Sequence, residues 1–118
     1  MRFESLVVYR KSYELALSIY RFSKELPEEE KYGITSQIKR ASLSVPLNIA
    51  EGYGKQSSAS EYKRYLSMAK GSCSEMMVLL SFVKDLSYMK EDHYKRYCEQ
   101  YEEIEKMLYA LMNSAKGA

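Results

Sequence analysis

The sequence predicts an all-α fold, an up-down-up-down antiparallel four-helix bundle. Three observations predict it. Apolar residues recur at alternating spacings of three and four through four separate segments, the period of a helix that buries one face. The chain holds only two prolines and five glycines, too few for the turns of a β-protein. The segments run to roughly 20–28 residues and are joined by short stretches, as antiparallel neighbours require. At 118 residues, the chain suits a single domain over 1–118 with one sizeable core.

The first helix is expected over residues 4–25. Leu6, Tyr9, Tyr13, Ala16 and Tyr20 form one stripe, with Leu15, Ile19, Phe22 and Leu26 beside it. That is a wider apolar face than one seam needs, and copies of the chain associating would cover the surplus. Pro27 ends this helix, because its ring restricts the residue before it and it has no N–H to donate. The second helix is expected over 28–53, with Glu28, Glu29 and Glu30 at its positive end and Gly33 loosening its first turn. Ile34, Ile38, Ala41, Val45 and Ile49 form its core face. Pro46 removes one backbone bond and predicts a bend, while Gly52 and Gly54 supply the stop.

The third helix is expected over 58–86. Ser58 and Glu61 match a capping box, and Tyr62, Leu66, Ala69, Cys73, Met76, Leu80 and Val83 make an unbroken heptad row. The small pair Gly71-Ser72 suggests close approach by a neighbouring helix. After a short turn at Ser87–Lys90, the fourth helix is expected over 91–114, with Tyr94, Tyr97, Tyr101, Ile104, Leu108, Leu111 and Ala115 as its seam.

One residue out of phase with the core face of the second helix run Gln37, Arg40, Ser44, Asn48 and Glu51. This is a polar seam flanking the core, read either as a structural hydrogen-bond network or as a binding surface. If residues 54–57 turn the chain, Arg40 lies level with Gly71, whose missing side chain leaves room for the guanidinium, and Glu75 is one turn away. The expected pairing is a charge-assisted Arg40–Glu75 bond with Ser72 as a further partner. By the same count Glu51 meets the start of the third helix near Ser60, and Asn48 lies level with Lys63.

The net charge is +2, but residues 31–84 hold eight Lys/Arg against three Asp/Glu, while both flanks are slightly acidic. The basic middle favours an anionic partner modestly. The start Met1-Arg-Phe-Glu-Ser lacks the pattern of a signal peptide, and no run of about 18 apolar residues is present, so the expectation is a cytoplasmic protein with no membrane partner. Cys73 and Cys98 are offset by roughly 9 Å along paired helices, too far for a disulfide. Catalysis has little support. His93 is the sole histidine, no Glu-x-x-His pair exists for a di-iron centre, and Gly52-Tyr-Gly54 ends a helix where a phosphate loop would begin one. The chain is read as a non-enzyme that needs no metal and no cofactor.

Several segments resemble the family of 23S rRNA intervening-sequence proteins. They are Leu26-Pro27 through Glu30-Lys-Tyr-Gly33, Ser36-Gln-Ile-Lys-Arg-Ala41, Ser44-Val-Pro46, Asn48-Ile-Ala-Glu-Gly52, and Ala69-Lys-Gly-Ser72 with Glu75. The resemblance implies a small bacterial cytoplasmic bundle assembled as a ring-shaped homopentamer. A related branch, the accessory proteins of diversity-generating retroelements, binds nucleic acid. Two functions follow as alternatives. One is an oligomer binding RNA or DNA through the basic surface of helices two and three, with Lys39, Arg40, Lys55, Lys63, Arg64 and Lys70 on phosphates and Tyr53 or Tyr65 stacking on bases. The other is a structural scaffold oligomer that binds a protein partner and no nucleic acid.

Overall fold

Each apolar stripe becomes the inward face of one helix in the computed structural model, which describes residues 2–115. The helices are α1 (Val7–Ser23), α2 (Ile34–Tyr53), α3 (Ala59–Asp85) and α4 (Glu91–Ser114). They form an up-down-up-down antiparallel bundle, packed mainly in chain order. The α2–α3 contact is the most extensive, and α1 meets α4 least.

The first two helices start later than their sequence patterns suggested. Phe3–Ser5 makes a separate 3-10 turn, and Leu6 is extended (ψ 128°) before α1 begins. Pro27 is likewise extended (ψ 148°), so Glu28–Glu30 forms its own turn, and Gly33 leaves helical geometry (ψ −113°) before α2. Helix α2 then runs unbroken through the buried Pro46 to Tyr53.

Helix α3 contributes most to the core: Tyr62, Leu66, Ala69, Cys73, Met76, Leu80 and Val83 are all buried. They meet Ile38, Ala41, Val45 and Ile49 of α2 and Tyr101, Ile104 and Leu108 of α4. On α1 the buried face is Val8, Ser12, Leu15, Ala16, Ile19 and Ser23, while Tyr13 is exposed and Tyr9 and Tyr20 are half-buried. The tyrosine stripe thus flanks the core, its hydroxyls able to stay near water. Serines take the inner positions because their hydroxyls bond back along the helix, Ser12 to the Tyr9 carbonyl at 2.9 Å and Ser23 to that of Tyr20 at 2.6 Å.

The two mid-helix glycines exchange the roles expected of them. Gly71 faces outward, with nothing within 4 Å of a Cβ placed there. Gly52 is buried inside α2, where a Cβ would lie 3.0 Å from the Tyr65 Cβ and 3.5 Å from the Tyr62 carbonyl oxygen. The close approach of α2 and α3 therefore falls at Gly52. At the α3 end, Tyr88 N–H donates to the Val83 carbonyl and Ser87 N–H to that of Lys84, both at 2.9 Å. This is the Schellman arrangement, with Ser87 at φ 66° where glycine is usual. The α3 start uses half of the expected capping box: Ser58 Oγ accepts from Glu61 N–H, while the Glu61 carboxylate turns to Arg64.

Candidate functional site

The polar seam closes the outer side of the α2–α3 contact. Arg40 donates through Nη2 to Glu75 and, at 2.9 Å, to Gln37 Oε1. One turn further along, Ser44 and Ser72 share a 2.8 Å hydroxyl bond, and Asn48 Nδ2 donates to the Ser44 carbonyl (2.9 Å) and hydroxyl (3.0 Å). Ser72 thus joins the seam through Ser44, with Arg40 reaching Glu75 directly. Asn48 folds back on its own helix and does not reach across to Lys63. Glu51 is exposed, and no ion pair or hydrogen bond among the described residues ties it to the start of α3, whose cap is Ser58. The Arg40 and Glu75 side chains are 57% and 39% exposed, so water screens the pair. Its stabilisation is that of a surface ion pair, about 0.2–1 kcal/mol, well below a buried one.

The six basic candidates do not gather on one face. Arg40 is held by Glu75, and Arg64 by Glu61 through Nε at 3.0 Å and Nη2 at 3.2 Å. The bond from Arg64 holds the Glu61 carboxyl below its ordinary range. Arg64 also lies 4.6 Å from the centre of the Tyr65 ring, which commits that ring to a cation already paired. Lys39 points the other way, over the Tyr20 ring of α1 at 5.1 Å. Lys55 is exposed in the α2–α3 turn, and Lys63 and Lys70 sit half-buried on α3, seven residues apart and hence on one side of the helix.

Nothing else assembles into a reactive centre. His93 is exposed at the start of α4. Among the described residues, no group of three His, Cys, Asp or Glu side chains is placed to hold a metal. Cys73 and Cys98 are free thiols; burial pushes Cys73 up to about 12 and raises Cys98, so neither ionises readily. Two buried polar atoms, Thr35 Oγ1 and the Tyr101 hydroxyl, have no partner among the described residues. Neither was anticipated, since periodicity places a tyrosine in a seam without saying where its hydroxyl ends.

With seam and bundle in view, comparison decides the kinship. The sequence model of the 23S rRNA-intervening sequence protein family matches residues 4–110. The chain belongs to that family. A solved structure from Bacteroides thetaiotaomicron VPI-5482, a protein of unknown function from the S23 ribosomal protein family, superposes with a TM-score of 0.83 at 27% identity. The match covers 92% of this chain and 100% of that one. A search of curated proteins gives no match. Like its family, this 23S rRNA-intervening sequence protein is a non-enzymatic helical bundle. Its α3 is long and apolar enough to cross a membrane by length and hydropathy alone, but its heptad row is the core of the bundle.

Proposed function

We propose that this protein is a non-enzymatic scaffold that works as a homo-oligomer in the cytoplasm. The ring of five implied by the family resemblance is the assembly proposed. The observation that carries self-association is a second apolar face on helices already buried on their first. Leu43 and Leu47 on α2, and Met68, Val78, Phe82 and Leu86 on α3, are all exposed, Val78 and Phe82 by 58% and 57%. A helix apolar on two sides loses free energy to water on the second unless another chain covers it. Light scattering at micromolar concentration tests this: a mass of several chains is expected, and a single chain would refute it.

RNA or DNA binding is the second reading, in the manner of the related retroelement accessory proteins. It is favoured by Lys55, Lys63 and Lys70, which form no ion pair with a carboxylate among the described residues, unlike Arg40 and Arg64. A ring repeats those lysines around its circumference and multiplies a weak phosphate contact. Retention on an RNA column that falls steeply between two salt concentrations is the expected result, weakened by Lys63→Ala with Lys70→Ala. No retention at low salt leaves the scaffold with a protein partner.

A further inference from the structure

We propose that the copies join head to tail: the Leu43, Leu47 and Met68 knob of one chain seats in the cleft between α1 and α4 of the next. This contact rests on the self-association proposed above and specifies its two faces. Leu43 and Leu47 are one turn apart on the outer side of α2, and Met68 lies across the seam on α3. In a four-helix bundle packed in chain order, the α2–α3 edge is opposite the α1–α4 edge. On that opposite edge is a cleft of about 430 Å³, walled by Leu6, Val7, Val8, Met107, Ala110 and Leu111. One edge therefore carries an apolar protrusion and the other an apolar recess, the two halves of a heterologous contact that rings are built from.

Charge favours this pairing over knob against knob. Glu51 stands one turn from Leu47 on the same face, exposed and without an ion pair among the described residues. Arg10, on the wall of the same α1–α4 cleft one step along, donates to the Glu4 and Ser5 carbonyls at 3.2 and 2.8 Å and meets no carboxylate. The end of α2 and the start of α1 lie at one end of the bundle, where Tyr53, Leu6 and Leu111 line a common pocket. Seating the knob in a neighbour's cleft brings Glu51 towards Arg10, whereas a two-fold knob contact sets two Glu51 carboxylates on one small face.

The test uses Leu47→Glu, which spoils the knob, and Ala110→Glu, which spoils the cleft. Both positions are exposed, so each variant keeps its helicity by circular dichroism. Each alone is expected to run as a single chain by light scattering. An equimolar mixture is expected to give a dimer and nothing larger, because one intact knob and one intact cleft remain. Charge reversal adds a second arm: Glu51→Arg loosens the assembly, and Arg10→Glu in the same chain restores it. A wild-type protein that associates while Leu47→Glu still associates, or a mixture that stays monomeric, overturns this contact and leaves self-association standing. A monomeric wild type removes both.

Discussion

Replacing either mid-helix glycine by alanine makes the same chemical change, and the structure assigns the two changes opposite signs. At Gly71 the added methyl meets nothing within 4 Å, so only helix propensity changes, a gain of about 0.8–1 kcal/mol. At Gly52 the same gain is opposed by a Cβ placed 3.0 Å from the Cβ of Tyr65. That atom is fixed to the α3 backbone and cannot swing aside, so α2 and α3 must part. Overpacking of this kind costs about 1–3 kcal/mol, which leaves Gly52→Ala net destabilised by about 1 kcal/mol. The two variants should therefore differ by about 2 kcal/mol, or about 8 °C in Tm for a domain of this size. Urea denaturation of both in the Leu47→Glu background, where association does not contribute, is the assay. Equal shifts, or a stabilised Gly52→Ala, would refute the assignment of the helix contact to Gly52.

Arg40→Ala should lose about 0.2–1 kcal/mol in the same assay, since water reaches the Glu75 pair; a loss above about 3 kcal/mol would mean the seam is dry. Ser87→Gly should gain about 1 kcal/mol by relieving the left-handed residue that ends α3, read as a higher urea midpoint. Tyr101→Phe should gain about 1 kcal/mol, because it removes a buried hydroxyl with no partner; a loss would reveal one. Stability should also fall in alkali. The Cys73 thiol rises from 9.0 to about 12 on burial, so above pH 9 the unfolded chain releases a proton the folded chain keeps. That contribution is complete below pH 9 and is lost as pH climbs towards about 12, and Cys73→Ala should flatten the slope relative to wild type.

The helices were readable because heptad rows are long and few residues interrupt them. On α3 and α4 the rows match the buried and half-buried residues position by position. On α1 the reading failed at Ser12 and Ser23, which look polar in sequence but satisfy their hydroxyls on their own helix and so can face inward. The seam shows a different limit. The expected register set Arg40 level with Gly71; the Ser44–Ser72 bond puts the true register a turn further on, where Arg40 meets Glu75. Residues four apart share a helix face, so an error of one turn still named both partners. The glycines had no such protection. Spacing cannot say which small residue faces a neighbour, and the scatter of the lysines over different faces is invisible until the bundle closes.

The loose α1–α4 side also bears on how the chain reaches this state. Its strong contacts join each helix to the one before it, so most loops closed during folding are short hairpins and little chain entropy is lost before contacts form. A nascent chain can dock each helix as it emerges, without waiting for the last one to secure the first. In the finished protein α1 is held chiefly along α2, with Ser18–Tyr97 and Lys11–Glu103 its polar ties to α4. Amides of α1 should accordingly exchange with solvent by a local opening, while those of α3 exchange only when the whole bundle comes apart.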